Sequence, residues 1–160
     1  MIQIKKVLFP TDLSDAAAEA QLYACALAEQ FQAELHVLSV VQDVALMSPD
    51  PNIPWVIPAS SLDEVRQNLE SALSRVPDER WSEGRDVRRV IRIGAPYVEI
   101  VKYAEEEAID VIVVGTHGRS GLTHLLLGST SEKIVRKAPC PVLTVRPKGH
   151  QFVTDSPTAN

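Results

Sequence analysis

The stretch Gly115-Thr116-His117-Gly118-Arg119-Ser120-Gly121, with Gly128-Ser129-Thr130-Ser131-Glu132 after it, carries the residue types that bind phosphate. Glycines let a chain turn sharply and bring backbone N–H groups close to an anion with no Cβ in the way. Gly128-Ser129 opens a helical pattern. A helix start adds unpaired N–H groups and a partial positive charge. Ser129 and Thr130 add hydroxyl donors, and Arg119 offers charge-assisted bonds to phosphate oxygens. Together these parts suit a triphosphate. They suit a structural role equally well, because Ser129 with Glu132 makes a capping box and Gly128 can serve as a plain turn. The stretch is not a Walker loop, since no Gly-Lys-Ser/Thr follows the glycines. It is not the dinucleotide fingerprint either. That motif needs its glycines in the first strand–helix turn, which here is Pro10-Thr11-Asp12.

Other residues invite chemistry less strongly. Asp12, at a strand end, is able to cap the following turn, contact a ribose or hold Mg²⁺ through water. His117 and His124 sit seven apart with no third ligand nearby in sequence, so no metal site is expected. Cys25 and Cys140 read as small buried apolar residues rather than redox or zinc ligands. Trp55 reads as packing over a sheet end, and Trp81 lies among charges with no assigned role.

The chain alternates strand and helix around these residues. Val7-Leu8-Phe9, after Ile2 and Ile4, reads as a buried first strand ended by Pro10-Thr11-Asp12. Ser14 is placed to cap a helix whose Ala20, Tyr23, Ala24, Leu27 and Phe31 recur at helical spacing. Leu35 to Val41 is a second strand. Residues 42–60 break the rhythm, because Pro49, Pro51, Pro54 and Pro58 preclude a regular helix. That loop is apolar enough to serve as a lid, a partner surface or plain packing. Residues 61–75 regain helical period, and Val87 to Ile93 alternate as a strand with one wetter face. Pro96 suits the first turn of a helix lined by Tyr97, Ile100, Val101, Ala104 and Ala108, with Glu105-Glu106-Glu107 as a solvated face. Val111-Ile112-Val113-Val114 reads as a central parallel strand covered on both sides. A helix from about Ser129 and a last strand over Val142–Val145 complete the order, with Cys140 near the strand's start. Such alternation predicts a mostly parallel sheet with helices on both faces. Ligands bind beyond the carboxyl ends of the strands, where strand order reverses. If the first and fourth strands are neighbours, Pro10-Thr11-Asp12 meets Gly115 there.

The spacing Gly115-x2-Gly118-x9-Gly128-Ser129 resembles the ATP-binding signature of the universal stress protein family. Its flanks are similar too: Val113-Val114-Gly115-Thr116-His117-Gly118-Arg119-Ser120-Gly121 before, and Pro139-Cys140-Pro141-Val142-Leu143-Thr144-Val145-Arg146 after. Val7-Leu8-Phe9-Pro10-Thr11-Asp12-Leu13-Ser14 looks like the family's first strand and turn. The resemblance spans residues 3–147, with 42–60 as the variable part. It implies a Rossmann-like, adenine nucleotide alpha hydrolase-like domain over 1–147; the remaining 148–160, polar and without period, read as a flexible tail. The implied sheet is five-stranded and parallel, in the order 3-2-1-4-5. It also implies the ATP-binding branch of the family, since the other branch lacks the intact glycine pattern. By that likeness Asp12 lies near the ribose and adenine, Pro10 and Thr11 beside it count among the nucleotide-binding residues, and the backbone around Val40 helps hold the base. Gly115, Gly118, Gly128, Ser129 and Thr130 line the phosphates, His117 counts among the nucleotide-binding residues, and Arg119 matches a variable basic position. The implied cofactor is ATP, alone or with Mg²⁺. The implied partner is a second copy, paired through residues 141–146 as an edge strand, with a tetramer left open.

Bulk properties set limits on partners. The net charge of −5 argues against a nucleic-acid coat. Residues 115–160 nevertheless hold six Lys/Arg against two Asp/Glu, while 1–114 hold ten against nineteen. A local basic island suits a small anion, or simply a solvated helix face and tail. No signal peptide or membrane span is expected, which places the chain in the cytoplasm. Three functions are compatible with these residues. One is an ATP-binding regulatory stress protein with slow or no turnover. The second is an ATPase or phosphotransferase, for which His117 is the sole candidate base. The third is a module for AMP or a cyclic nucleotide.

Overall fold

The computed structural model describes residues 2–42, 59–116 and 128–146. The element order is β1 (Lys6–Pro10), α1 (Asp15–Phe31), β2 (Glu34–Val41), α2 (Ala59–Leu73), α3 (Glu79–Ser82), β3 (Val87–Ile93), α4 (Pro96–Glu106), β4 (Val111–Gly115), α5 (Ser129–Lys137) and β5 (Val142–Val145). The five strands form one parallel sheet in the order β3-β2-β1-β4-β5, as the sequence led us to expect. Most of the 42–60 loop and the whole 148–160 tail lie outside the described residues.

The period of two along each central strand builds two separate cores. Val7, Phe9, Val37, Val111 and Val113 face α1, while Leu8, Leu38, Ile112 and Val114 face α4 and α5. Val7, Leu8, Phe9, Ile112 and Val113 are at most 1% exposed, which accounts for their unbroken apolar run. Truncating a side chain such as Phe9 to alanine would cost about 3–5 kcal/mol.

Helix α1 departs from expectation. Its buried face is Ala17, Ala20, Ala24, Cys25 and Ala28, whereas Tyr23 and Phe31 are exposed. The alanine stripe leaves little bulk between helix and strands, and the larger side chains turn outward. Burial pushes the Cys25 thiol up to about 12, so it stays protonated at neutral pH. Cys140 is half-buried and precedes β5, which starts at Val142.

Smaller differences have local causes. Ile2 is exposed because β1 begins at Lys6. Helix α2 starts at Ala59, directly after Pro58. Helix α3 was not expected; the Asp78 side chain caps it by accepting from the Trp81 amide at 2.9 Å. Trp81 packs against the α1-side core under the Arg85 guanidinium. Helix α4 begins at Pro96 as expected, but Ala108 lies beyond its end with φ 50°. Its glutamates are not simply solvated: Glu106 pairs with Arg92, and Glu107 with Arg88 at 2.8 Å. Among the described residues, no helix is long and apolar enough to cross a membrane.

Candidate functional site

Strands β1 and β4 are neighbours, so the two predicted segments do meet at the point where strand order reverses. The strands are held together at their amino ends. The Asp110 carboxylate accepts from the Lys5 and Lys6 amides at 2.7 and 2.9 Å. Their ladder then covers only Val7↔Val111 and Leu8↔Ile112. On either side, pairing runs further toward the carboxyl ends, to Pro10↔Leu38 in β1–β2 and Gly115↔Val145 in β4–β5. Beyond the last β1–β4 pair, the strand ends at Pro10 and Gly115 border the switch-point crevice, each still anchored to its outer neighbour.

The β1 wall is a tightly tied turn. Pro10 ends the strand, and the Thr11 amide donates to Leu38 O at 2.9 Å. The buried Thr11 hydroxyl accepts from the Leu13 amide at 3.0 Å. The Asp12 carboxylate accepts from the Ser14 amide at 3.0 Å and from the Ser14 hydroxyl. These bonds hold Leu13 at φ 61°, a left-handed conformation costing a non-glycine residue about 1 kcal/mol or more. Ser14 does occupy the N-cap position of α1, but its hydroxyl serves Asp12 rather than the helix. Beside this turn, Val40 is half-buried on β2 and packs on the α4 side of the sheet.

The β4 wall is Gly115 and the buried Thr116, whose amide donates to Val145 O at 2.9 Å. Residues 117–127, and with them His117, Gly118, Arg119 and His124, lie outside the described residues. The chain re-enters at Gly128, whose amide donates to Thr116 O at 2.6 Å. Gly128 is the N-cap of α5, and Ser129 and Thr130 are its first two residues. This corrects the capping box: with Gly128 at the cap, Ser129 and Glu132 stand one position too far into the helix to form it. The first intrahelical bond runs from the Glu132 amide to Gly128 O at 2.9 Å. The amides of Ser129, Thr130 and Ser131 precede it and have no acceptor within the helix. The helix start thus brings N–H donors and a partial positive charge to the end of β4.

Three cations of the basic island have partners on α5 and α4. Lys133 and Lys137 lie over the Tyr97 ring at 4.8 and 5.5 Å, and Arg136 pairs with Glu132 at 3.0 Å. These three cations are engaged on the flank of α5. A cavity of about 370 Å³ lies elsewhere, between α2 and β3, lined by Leu73, Ser74, Arg89 and Ile91 among others. It touches none of the predicted site residues and lacks a helix start or a strand-end turn. The crevice remains the better candidate on its chemistry. Sequence reasoning passed over Leu13, Thr116 and Ser131; Ser131 is buried and donates to Gly115 O at 2.7 Å.

Comparison with known proteins agrees with this architecture. The family model described as universal stress protein family matches residues 3–146. Universal stress protein MJ0531 of Methanocaldococcus jannaschii is 36% identical over 146 residues, covering 89% of this chain and 82% of that protein. MJ0577 of the same organism is 31% identical over 158 residues, covering 92% and 98%. Its solved structure superposes with a TM-score of 0.78 at 29% identity, over 92% of this chain and 99% of that one. A universal stress protein solved in complex with cAMP shares the fold at a TM-score of 0.58 and 24% identity, covering 90% and 98%. With the family model spanning nearly the whole described chain and a relative 36% identical over most of its length, the chain belongs to the universal stress protein family.

Proposed function

We propose that this protein binds ATP in the crevice between β1 and β4, and acts as a nucleotide-responsive regulatory protein with slow or no turnover. The observation that carries the reading is the early end of the β1–β4 ladder at Leu8↔Ile112, next to the open amides of the first turn of α5. In this reading the amides of Ser129 and Thr130 take the phosphates, with Gly115, Gly118 and Gly128 lining them. Asp12 takes the ribose, and the Val40 backbone meets the base. Asp12 with a water shell also fits Mg²⁺ alongside ATP, since a carboxylate beside phosphate oxygens is the donor set that ion takes. A cAMP-bound protein of the same fold is consistent with an adenine nucleotide. A regulatory role requires that ATP bind one conformation better than another.

The same reading places the protein in the cytoplasm and pairs two copies along β5. Among the described residues that strand is bonded only to β4, and Leu143 on it is exposed. Native mass spectrometry of the purified protein tests both points at once. We expect a dimer carrying one nucleotide mass per subunit after incubation with ATP. A spectrum with no added nucleotide at saturating ATP would remove the central claim. Competition with AMP and cAMP then separates ATP from the smaller adenine nucleotides.

A further inference from the structure

We propose that Ser131 is a positioning residue for the nucleotide site. This inference rests on the nucleotide reading above and adds a residue that the glycine pattern does not include. Ser131 is the third residue of α5, 6% exposed, and its hydroxyl donates to Gly115 O at 2.7 Å. The bond joins the first turn of the helix directly to the last residue of β4, across sixteen positions of chain.

Two further bonds complete the junction. The Gly128 amide donates to Thr116 O, and the Thr116 amide donates to Val145 O. The second is a backbone link that fixes the strand end to its neighbour. The first sets how far the helix start stands from the strand, while the wholly buried Ile134 packs the middle of α5 into the α4-side core. The Ser131 hydroxyl supplies a second point of attachment, one residue-turn further along α5. These two bonds fix the first turn of α5 against the strand end, and with it the aim of the Ser129 and Thr130 amides. Those amides have no acceptor within the helix, so their direction decides what they can bind. Beyond Leu8↔Ile112 β1 no longer pairs with β4, so the bonds that tie the end of β4 come from Val145 and from the start of α5.

A donor that only fills a buried pocket would affect folding alone. A donor that aims the anion-binding amides affects ligand affinity beyond its effect on folding, because a misaligned N–H···O bond weakens steeply with angle. The test is calorimetric titration of the full chain with MgATP, alongside thermal melting, for wild type, Ser131→Ala, Ser131→Thr and Ser131→Cys. Ser131→Ala is expected to weaken ATP about tenfold, equivalent to about 1.4 kcal/mol. Ser131→Thr keeps the hydroxyl and is expected to bind within about threefold of wild type, whatever its melting temperature. If Ser131→Ala does not fold, Ser131→Cys carries the comparison. It keeps the volume with a far weaker donor, and several-fold weaker binding than Ser131→Thr is expected.

Equal affinity in wild type and Ser131→Ala, with only the melting temperature lowered, overturns the positioning role and leaves the nucleotide reading standing. Equal affinity in the cysteine and threonine variants does the same. Absence of binding by the wild type overturns the nucleotide reading itself, and the positioning role falls with it.

Discussion

Replacing His36 by glutamine removes a histidine that is wholly buried between the sheet and α4. Its Nδ1 lies 2.7 Å from the Tyr103 hydroxyl, and the rings meet edge-on. Its Nε2 is 3.2 Å from Glu34 Oε2 but out of hydrogen-bonding alignment. Arg88 from β3 and Lys6 from β1 also face it, while Glu107 pairs with both of those cations. Burial is the largest influence and holds the imidazole below its ordinary value; Glu34 works against it, and Arg88 and Lys6 reinforce it.

The sign of the pH effect follows. Above the unfolded value of about 6.5 the ring is neutral in both states and adds no slope. Below it the unfolded chain takes up the proton more readily than the folded one. Stability is therefore lost on acidification, at up to about 1.4 kcal/mol per pH unit, until the folded value is reached. Glutamine at 36 abolishes that slope. It also costs about 1–3 kcal/mol at neutral pH, through imperfect replacement of the Tyr103 bond. Urea unfolding of both proteins from about pH 7.5 to about pH 5 gives the difference, in which the remaining histidines and carboxylates cancel. The gap between wild type and His36→Gln should narrow as pH falls. A constant gap would refute the reasoning. A widening gap would show that Glu34 wins and that the folded state prefers the charged ring.

Three other outcomes are expected. Gly94 sits at φ 149°, and a Cβ there would lie 3.0 Å from Glu99 Cγ. Gly94→Ala should cost about 1–3 kcal/mol even if the flexible Glu99 moves aside, read as a lower melting temperature. Asp12→Asn keeps an acceptor for the Ser14 amide but loses the charge. Its melting temperature should stay near wild type while ATP affinity falls by about tenfold; unchanged affinity would take Asp12 out of the site. Leu143→Lys puts a charge on the outer face of β5, which is 37% exposed at that residue. Sedimentation should report monomers, and an unaltered dimer would place the interface elsewhere.

Much of the fold was legible because two periodicities carry it. Four consecutive apolar residues, Val111 to Val114, could only be a strand covered on both sides, and the glycine spacing after it marked the strand-to-helix junction. What stayed hidden depends on distances that no sequence period encodes. His36 lies inside an apolar run, and its partner Tyr103 is 67 residues away. The buried face of α1 was misjudged because size, not hydrophobicity, decides there: alanines face the strands and Tyr23 is left outside. Helix α3 did have a signal, since Asp78 stands three residues before Trp81 as a cap. At the site, Pro10, Asp12, Gly115 and Gly128 were readable as a set. The Ser131 bond to Gly115 O was not, because it depends on how close α5 stands to the end of β4.

The claim that an adenine nucleotide lies between β1 and β4 is tested most directly by amide NMR during an ATP titration. The account requires that the amides of Thr11 to Ser14 and of Gly128 to Ser131 shift together and saturably, while those at the far end of the sheet, such as Glu34 and Arg88, stay still. Shifts centred on Leu73, Ser74 and Arg89, or none at saturating ATP, would contradict it.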